Sequence, residues 1–183
     1  LMFKTLHEHL GAAVAKLDVM IALGTHPPMT PEAIDARVEI TAEQRNSTYR
    51  NVEFINHEWD NPGALHDLGI IPAEEINELS SGLFSMDVPV HVNKRLFDYD
   101  QIIIIGPVFP HEVVGFSGGN KYLFPGVSGP EILNFFHWLG AVVTNPMIIG
   151  NKWTPVRKVV DRAAAMITVP KLCFSLVVQG NGD

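Results

Sequence analysis

Four basic side chains of this 183-residue chain stand where they could do chemistry: His26, His111, Lys121 and His137. His26 lies in Gly24-Thr25-His26-Pro27-Pro28, just past the apolar run LDVMIAL. His111 lies just past QIIIIGPVFP, the most β-branched stretch of the chain. In open α/β sheets, ligands bind outside the carboxyl ends of the strands. If both runs are parallel neighbours, two imidazoles with pKa near ~6.5 face one crevice, suited to general acid–base work. Neighbouring prolines stiffen the backbone at both places. Either histidine taken singly reads equally as a polar loop residue bonded to backbone.

Lys121 closes the loop Gly115-Phe116-Ser117-Gly118-Gly119-Asn120-Lys121. Such glycines let backbone N–H groups approach an anion, and the lysine adds a point charge. Ser117, Gly118 and Gly119 are therefore candidate cofactor-binding residues beside Lys121. The phosphate-loop spacing G-x-x-x-x-G-K-[ST] is absent, because Tyr122 follows Lys121; the spacing alone also fits a turn-rich loop with an exposed lysine. Lysine can in addition hold a cofactor covalently through its amine. His137 sits in an aromatic helical stretch, Phe135-Phe136-His137-Trp138, where a histidine is either a core residue or a metal ligand. No H-x-x-x-H or H-E-x-x-H spacing accompanies it, so the protein alone supplies no recognisable zinc site. His7 and His9 are two apart on a helix and do not face each other. His57, His66 and His91 read as surface or supporting residues.

The elements that must position these groups alternate. Residues 17–23 read as a strand, Thr30-Pro31 as a helix start with an N-cap threonine, and residues 52–60 as a strand running into a turn. Residues 72–79 read as a helix. Val88-Pro89-Val90-His91-Val92 reads as an edge strand carrying its proline, and residues 101–105 as a strand buried on both faces. Helices follow at 130–143 and 154–165, then a last strand. The pattern implies one α/β domain, layered, with a largely parallel sheet flanked by helices. The connection from Gly106 to Gly129 is too long for a mere connector and reads as functional.

Composition narrows the function classes. Apolar residues are 46% and charged residues 18%, enough for a sizeable core. A net charge of −7 argues against electrostatic nucleic-acid binding. No apolar run reaches membrane-spanning length, so no membrane partner is expected. The single cysteine, Cys173, excludes an intramolecular disulfide and a cysteine-rich zinc site. A cytoplasmic setting is the expectation. The chain opens on Leu1 within a helical pattern and ends on Gly180-Asn181-Gly182-Asp183, a turn after a strand. It reads as a segment of a longer protein.

The block Pro110-His111-Glu112-Val113-Val114-Gly115-Phe116-Ser117-Gly118-Gly119-Asn120-Lys121 resembles the lactate racemase family. So do Gly24-Thr25-His26 upstream, and Pro125-Gly126-Val127-Ser128-Gly129 and a helical His137 downstream. The resemblance runs from about residue 17 to the last strand. It implies a nickel-pincer nucleotide cofactor, nickel pyridinium-3,5-bisthiocarboxylic acid mononucleotide. It implies that His26 and His111 are the paired acid/base catalysts, that Lys121 tethers the cofactor through a thioamide, and that His137 is the protein ligand to nickel. The implied reaction is racemisation or epimerisation of a lactate-like 2-hydroxy acid, by moving hydride from the α-carbon to the cofactor and back. Mirror-image substrates present their hydroxyl to different histidines, which is why two bases are needed. Cofactor-making enzymes are the implied partners. The family's upstream strand and downstream domain lie outside this segment, so the segment alone is expected to be inactive. The alternative reading is a non-catalytic nucleotide- or phosphate-binding α/β module; a purely structural α/β domain would leave the long glycine-rich loop without a purpose.

Overall fold

The computed structural model describes residues 2–178. The terminal turn at residues 180–183 and Leu1 lie outside the described residues. The chain forms two compact units, Leu1–His57 and Glu58–Asp183.

In the first unit, α1 (Met2–Leu10) leads to β1 (Val19–Ile21), α2 (Pro31–Val38), α3 (Ala42–Asn46) and β2 (Phe54–Asn56). β1 and β2 pair in parallel, Val19 opposite Phe54. α2 starts where Thr30-Pro31 implies: the Thr30 hydroxyl accepts from the Ala33 N–H, and Pro31 fills the first helical position, where its missing N–H costs nothing. α3 has a full capping box, Thr41 and Gln44 each accepting from the other's backbone N–H. The core is Phe3, Val38, Ile40 and Tyr49, with Val19, Val52 and Phe54 packed against it. The Phe3 ring lies 5.1 Å from Tyr49 and 5.6 Å from Phe54, within the range favoured by aromatic pairs. His57 is buried, not on the surface; its N–H donates to the Ile21 carbonyl at the end of β1.

The second unit contains β3 (Leu65–Ile71), α4 (Ala73–Leu79), β4 (Val88–Asn93), β5 (Ile102–Val108), β6 (Pro110–His111), β7 (Gly115–Phe116), α5 (Pro130–Val143), α6 (Asn145–Ile148), α7 (Pro155–Ala165) and β8 (Lys171–Val177). β3 and β4 are antiparallel, with a bulge between Asp67 and Gly69. β4 alternates as expected: Val88, Val90 and Val92 are buried, and α5 packs on this strand. α5 in turn packs on α7, which buries Val156, Val159, Val160, Ala163 and Ala164. Arg162 on α7 grips Glu75 on α4 through two N–H groups.

β5 and β8 pair in parallel, Ile102 opposite Lys171 through Val108 opposite Val177. The α/β class and the parallel pairing are therefore as the alternation implies. The strands are organised as four two-stranded ladders, two parallel and two antiparallel, among the described residues. One expectation changes in consequence. β5 buries only Ile104, and its other isoleucines are partly exposed. Its one ladder partner, β8, itself exposes Leu172, Phe174 and Leu176.

Candidate active site

The long connection after β5 is built, not slack. β5 ends, and the chain turns back on itself in a tight hairpin: Pro110 opposes Phe116 and His111 opposes Gly115. Val114, at the turn, is fully buried and anchors it. Gly115 has φ +84°, and a Cβ there would lie 2.0 Å from the Asn151 carbonyl oxygen, so only glycine fits. Ser117 is buried; its hydroxyl donates to the Pro107 carbonyl at 2.8 Å and accepts from the Phe109 N–H at 2.9 Å. This serine thus fastens the hairpin to the end of β5. Gly118 also has positive φ, with Val108 Cγ2 2.6 Å from where a Cβ would be. At Gly119, by contrast, that direction is open. Lys121 follows on a short 3-10 turn, Gly119–Tyr122. Asn120, in the same turn, donates to Asp161 on α7 at 2.9 Å.

His137 is exposed on α5. Its Nδ1 lies 2.8 Å from the Leu133 carbonyl, which can only accept, so Nδ1 carries the proton and Nε2 keeps a lone pair. One turn on, Gly140 lets α5 approach the hairpin: a Cβ there would stand 3.2 Å from Val113 Cγ1. The two residues are three apart and so share a helix face.

Charge ties the group together. Burial pushes the His111 imidazole below its ordinary pKa; Lys121, Arg157 and His137 add to the depression, and Glu112 opposes it. Burial likewise holds Lys121 below the usual lysine range, with Glu112 opposing and Arg157 adding. A lysine so placed keeps more of its amine in the unprotonated, nucleophilic form. Arg157, in the first turn of α7, donates to the Phe116 carbonyl of the hairpin and is itself depressed by burial. Its placement rests on Thr154, a fully buried N-cap whose hydroxyl accepts from the Arg157 N–H at 3.1 Å.

Lys121 and His137 thus each bear on His111 in the second unit, Lys121 from the loop that Ser117 and Gly118 brace and His137 from α5. His26 belongs to the first unit. It is exposed in the turn after β1, its N–H donating to the Leu23 carbonyl. Within its own unit each of the two expected catalytic histidines follows the carboxyl end of a strand in a parallel pair. Sequence reasoning passed over Glu112 and Arg157. Glu112 is adjacent to His111 and could have been weighed with it. Arg157 comes from a distant helix, and only the fold brings it to the hairpin.

The residues present fit a metal-bearing cofactor held mostly by its own donors. Among the described residues no three His, Cys, Asp or Glu side chains are grouped to hold a metal ion. His137 nevertheless offers a free Nε2 with its other nitrogen fixed by a carbonyl, the usual arrangement of a ligating histidine. Lys121 offers a depressed amine nearby in the chain's own charge network. Among the described residues no helix is long and apolar enough to cross a membrane.

The chain is similar to several known proteins. A lactate racemase from Thermoanaerobacterium thermosaccharolyticum is 25% identical over 119 residues, which is 65% of this chain and 24% of that protein. The crystal structure of a Thermotoga maritima protein superposes with a TM-score of 0.87 at 32% identity, over 98% of this chain and 43% of the other. The lactate racemase apoprotein from T. thermosaccharolyticum shares the fold, with a TM-score of 0.71 at 19% identity over 97% of this chain and 38% of its own. The chain spans less than half the length of each of these relatives. The family model for the lactate racemase N-terminal domain matches residues 1–147, and the chain belongs to that family.

Proposed function

We propose that this chain is the cofactor-binding N-terminal part of a racemase or epimerase of a 2-hydroxy acid. The observation that supports it most is the charge network of the second unit: Lys121 and His137, the residues expected to hold a nickel-pincer nucleotide, both bear on His111, the residue expected to move a proton. Lys121 would tether the cofactor through its amine and His137 would ligate nickel through Nε2. When bound, that group supplies an acceptor for the hydrogen and electron pair of the substrate's α-carbon.

The protein's own work is proton handling and orientation. Inversion at an α-carbon passes through a planar species that can be approached from either face. The hydroxyl proton must leave as the α-carbon is oxidised and must return afterwards. His111 serves one enantiomer and His26 the other. Burial keeps His111 neutral, and so able to work, at lower pH than a free imidazole. Arg157 keeps the neighbourhood cationic once Lys121 is committed to the tether, which suits an anionic substrate. Cofactor-making enzymes would be this protein's partners.

The test uses the full-length protein produced together with the cofactor-making enzymes. A nickel-dependent absorbance and a mass increment on Lys121 are expected, and Lys121→Ala should lose the increment. His26→Ala and His111→Ala should each abolish racemisation, a loss on the order of a hundredfold or more. Full activity in either variant would remove the two-base mechanism. Calorimetry with ATP, NAD and nicotinic acid nucleotides, without nickel, tests the non-catalytic nucleotide-binding alternative.

A further inference from the structure

Resting on the racemase reading, we infer that Glu112 is a positioning residue that sets which ring nitrogen of His111 carries the proton. The argument begins with the hairpin turn. The Val113 N–H donates to His111 Nδ1 at 3.1 Å. A nitrogen that accepts from a backbone N–H has no proton of its own, so the neutral ring carries its proton on Nε2. In that state Nε2 cannot accept a proton, and it could give one up only by leaving an imidazolate.

A histidine that serves one enantiomer in both directions must do both. To take the substrate hydroxyl proton at Nε2, the ring needs a lone pair there and a proton on Nδ1. A proton on Nδ1 needs an acceptor, and the Val113 N–H is not one. The Glu112 carboxylate is: its Oε2 lies 3.8 Å from Nδ1, too long for a hydrogen bond but close enough for a side-chain torsion to close. Glu112 is free to make that movement, being 60% exposed, while the His111 side chain is only 18% exposed. The other titratable groups that bear on His111 are Lys121, Arg157 and His137, and Glu112 alone among them is a carboxylic acid.

Two arrangements of one turn follow. With Nδ1 on the Val113 N–H, the neutral ring holds its one proton on Nε2 and is idle as a base. With Nδ1–H on the Glu112 carboxylate, it is a base at Nε2. In the second arrangement the substrate O–H bond breaks and its proton passes to Nε2. The ring becomes an imidazolium whose other N–H stays on Glu112. The return step delivers the Nε2 proton back to oxygen. Glu112 gains and loses no proton, and it touches no reacting atom.

The experiment is a long-range proton–nitrogen correlation on the full chain with nitrogen-labelled histidine, His111 being assigned through His111→Gln. Wild type should show both tautomers in exchange. Glu112→Ala should shift His111 almost wholly to the Nε2–H form, and Glu112→Asp should restore part of the Nδ1–H population. An unchanged tautomer balance in Glu112→Ala would overturn the inference. Because Glu112 is exposed at a turn, unfolding temperature should not move. In the cofactor-loaded enzyme, Glu112→Ala should lower kcat on the order of a hundredfold with KM little changed, and should move the acidic limb of the rate profile to lower pH. Equal kcat in variant and wild type would also overturn it. The tautomer measurement needs no turnover. If wild type racemises nothing yet the tautomer shift is seen, the racemase reading fails and the Glu112–His111 coupling stands.

Discussion

Two turns carry the expected acid/base histidines, and they are built in opposite ways. The turn at residues 24–28 is light. His26 is exposed with Thr25, Pro27 and Pro28 around it. Its anchorage is one backbone bond to Leu23 and, beyond the prolines, a reciprocal pair between Met29 and the Asn56 amide at 3.0 and 2.9 Å. The turn at residues 106–121 is heavy. Ser117 bonds it in two directions, Val114 pins it into the core, and Gly106 admits the Tyr122 ring where a Cβ would stand 2.2 Å away. The difference teaches where preorganisation is concentrated. His111 sits in a braced, partly dry surrounding beside Lys121 and Arg157. His26 is presented to solvent on a stiff but lightly tied backbone.

The largest effect that would break this contrast is backbone. Gly115→Ala should cost about 3 kcal/mol or more, because the new Cβ meets the Asn151 carbonyl at 2.0 Å and φ is +84°. Gly24→Ala, at φ +57° in the light turn, carries the left-handed penalty of about 1 kcal/mol. Denaturant unfolding of both variants measures the gap. Equal costs would mean that the heavy turn yields as easily as the light one.

Next in size is charge. Lys121→Met removes a buried amine that the fold disfavours when protonated. The sign follows from linkage. A lysine whose folded pKa is lowered costs stability once pH falls below the ordinary value near ~10.4, and the cost grows until pH passes the folded value. The variant should therefore unfold at a higher temperature than wild type at neutral pH. That advantage should vanish as pH rises toward the ordinary lysine range. The same variant should raise the His111 pKa, because the Lys121 charge depresses it; a proton NMR titration reads this directly. For His111 itself, stability should fall as pH drops below about 6.5 toward its depressed folded value, since only the unfolded chain then takes up the proton. A Lys121→Met protein less stable than wild type at neutral pH would show that the amine is held by contacts stronger than its burial cost.

How much of this was legible in the residues follows from what each signal measures. Thr30-Pro31 marked the start of α2 because capping is local chemistry. The Val-Pro-Val-His-Val alternation marked β4 because burial on one face imposes period two. β3 was not legible: in Leu-His-Asp-Leu-Gly-Ile-Ile the bulge between Asp67 and Gly69 breaks the alternation. α3 hid in a polar stretch although Thr41 and Gln44 carry a capping box, because no apolar face accompanies so short a helix and none of its residues is buried. At the site, His111 and Lys121 could be read together because the loop joining them is short and glycine-rich. Arg157 could not, since its approach to Phe116 depends on how α7 docks. The exposure of the β5 isoleucines had the same cause: strand composition reports burial potential, while the number of neighbouring strands decides how much is realised.

The helix caps sharpen the comparison most, because the same dipeptide occurs in both units. Thr30-Pro31 starts α2 and Thr154-Pro155 starts α7, and each threonine hydroxyl accepts from the N–H three residues on. In sequence the two caps are equivalent. In the fold they are not. Thr154 is fully buried and its bond to the Arg157 N–H is 3.1 Å, whereas Thr30 is exposed and its bond to the Ala33 N–H is 3.3 Å. Loss of a buried acceptor leaves a donor that water cannot easily reach, so Thr154→Ala should cost about 2 kcal/mol, the upper end for a cap. Thr30→Ala should cost about 0.5 kcal/mol, because water replaces the hydroxyl. Thr154→Ser, which keeps the acceptor, should recover most of the first loss. Arg157 follows its cap, so Thr154→Ala should also loosen the guanidinium from the hairpin and raise the His111 pKa slightly, a change the Thr30 variant should not produce. Equal costs at the two caps, with His111 unmoved, would mean that α7 holds Arg157 through packing of its Val156, Val159 and Val160 face alone, and that the buried threonine contributes no more than its exposed counterpart.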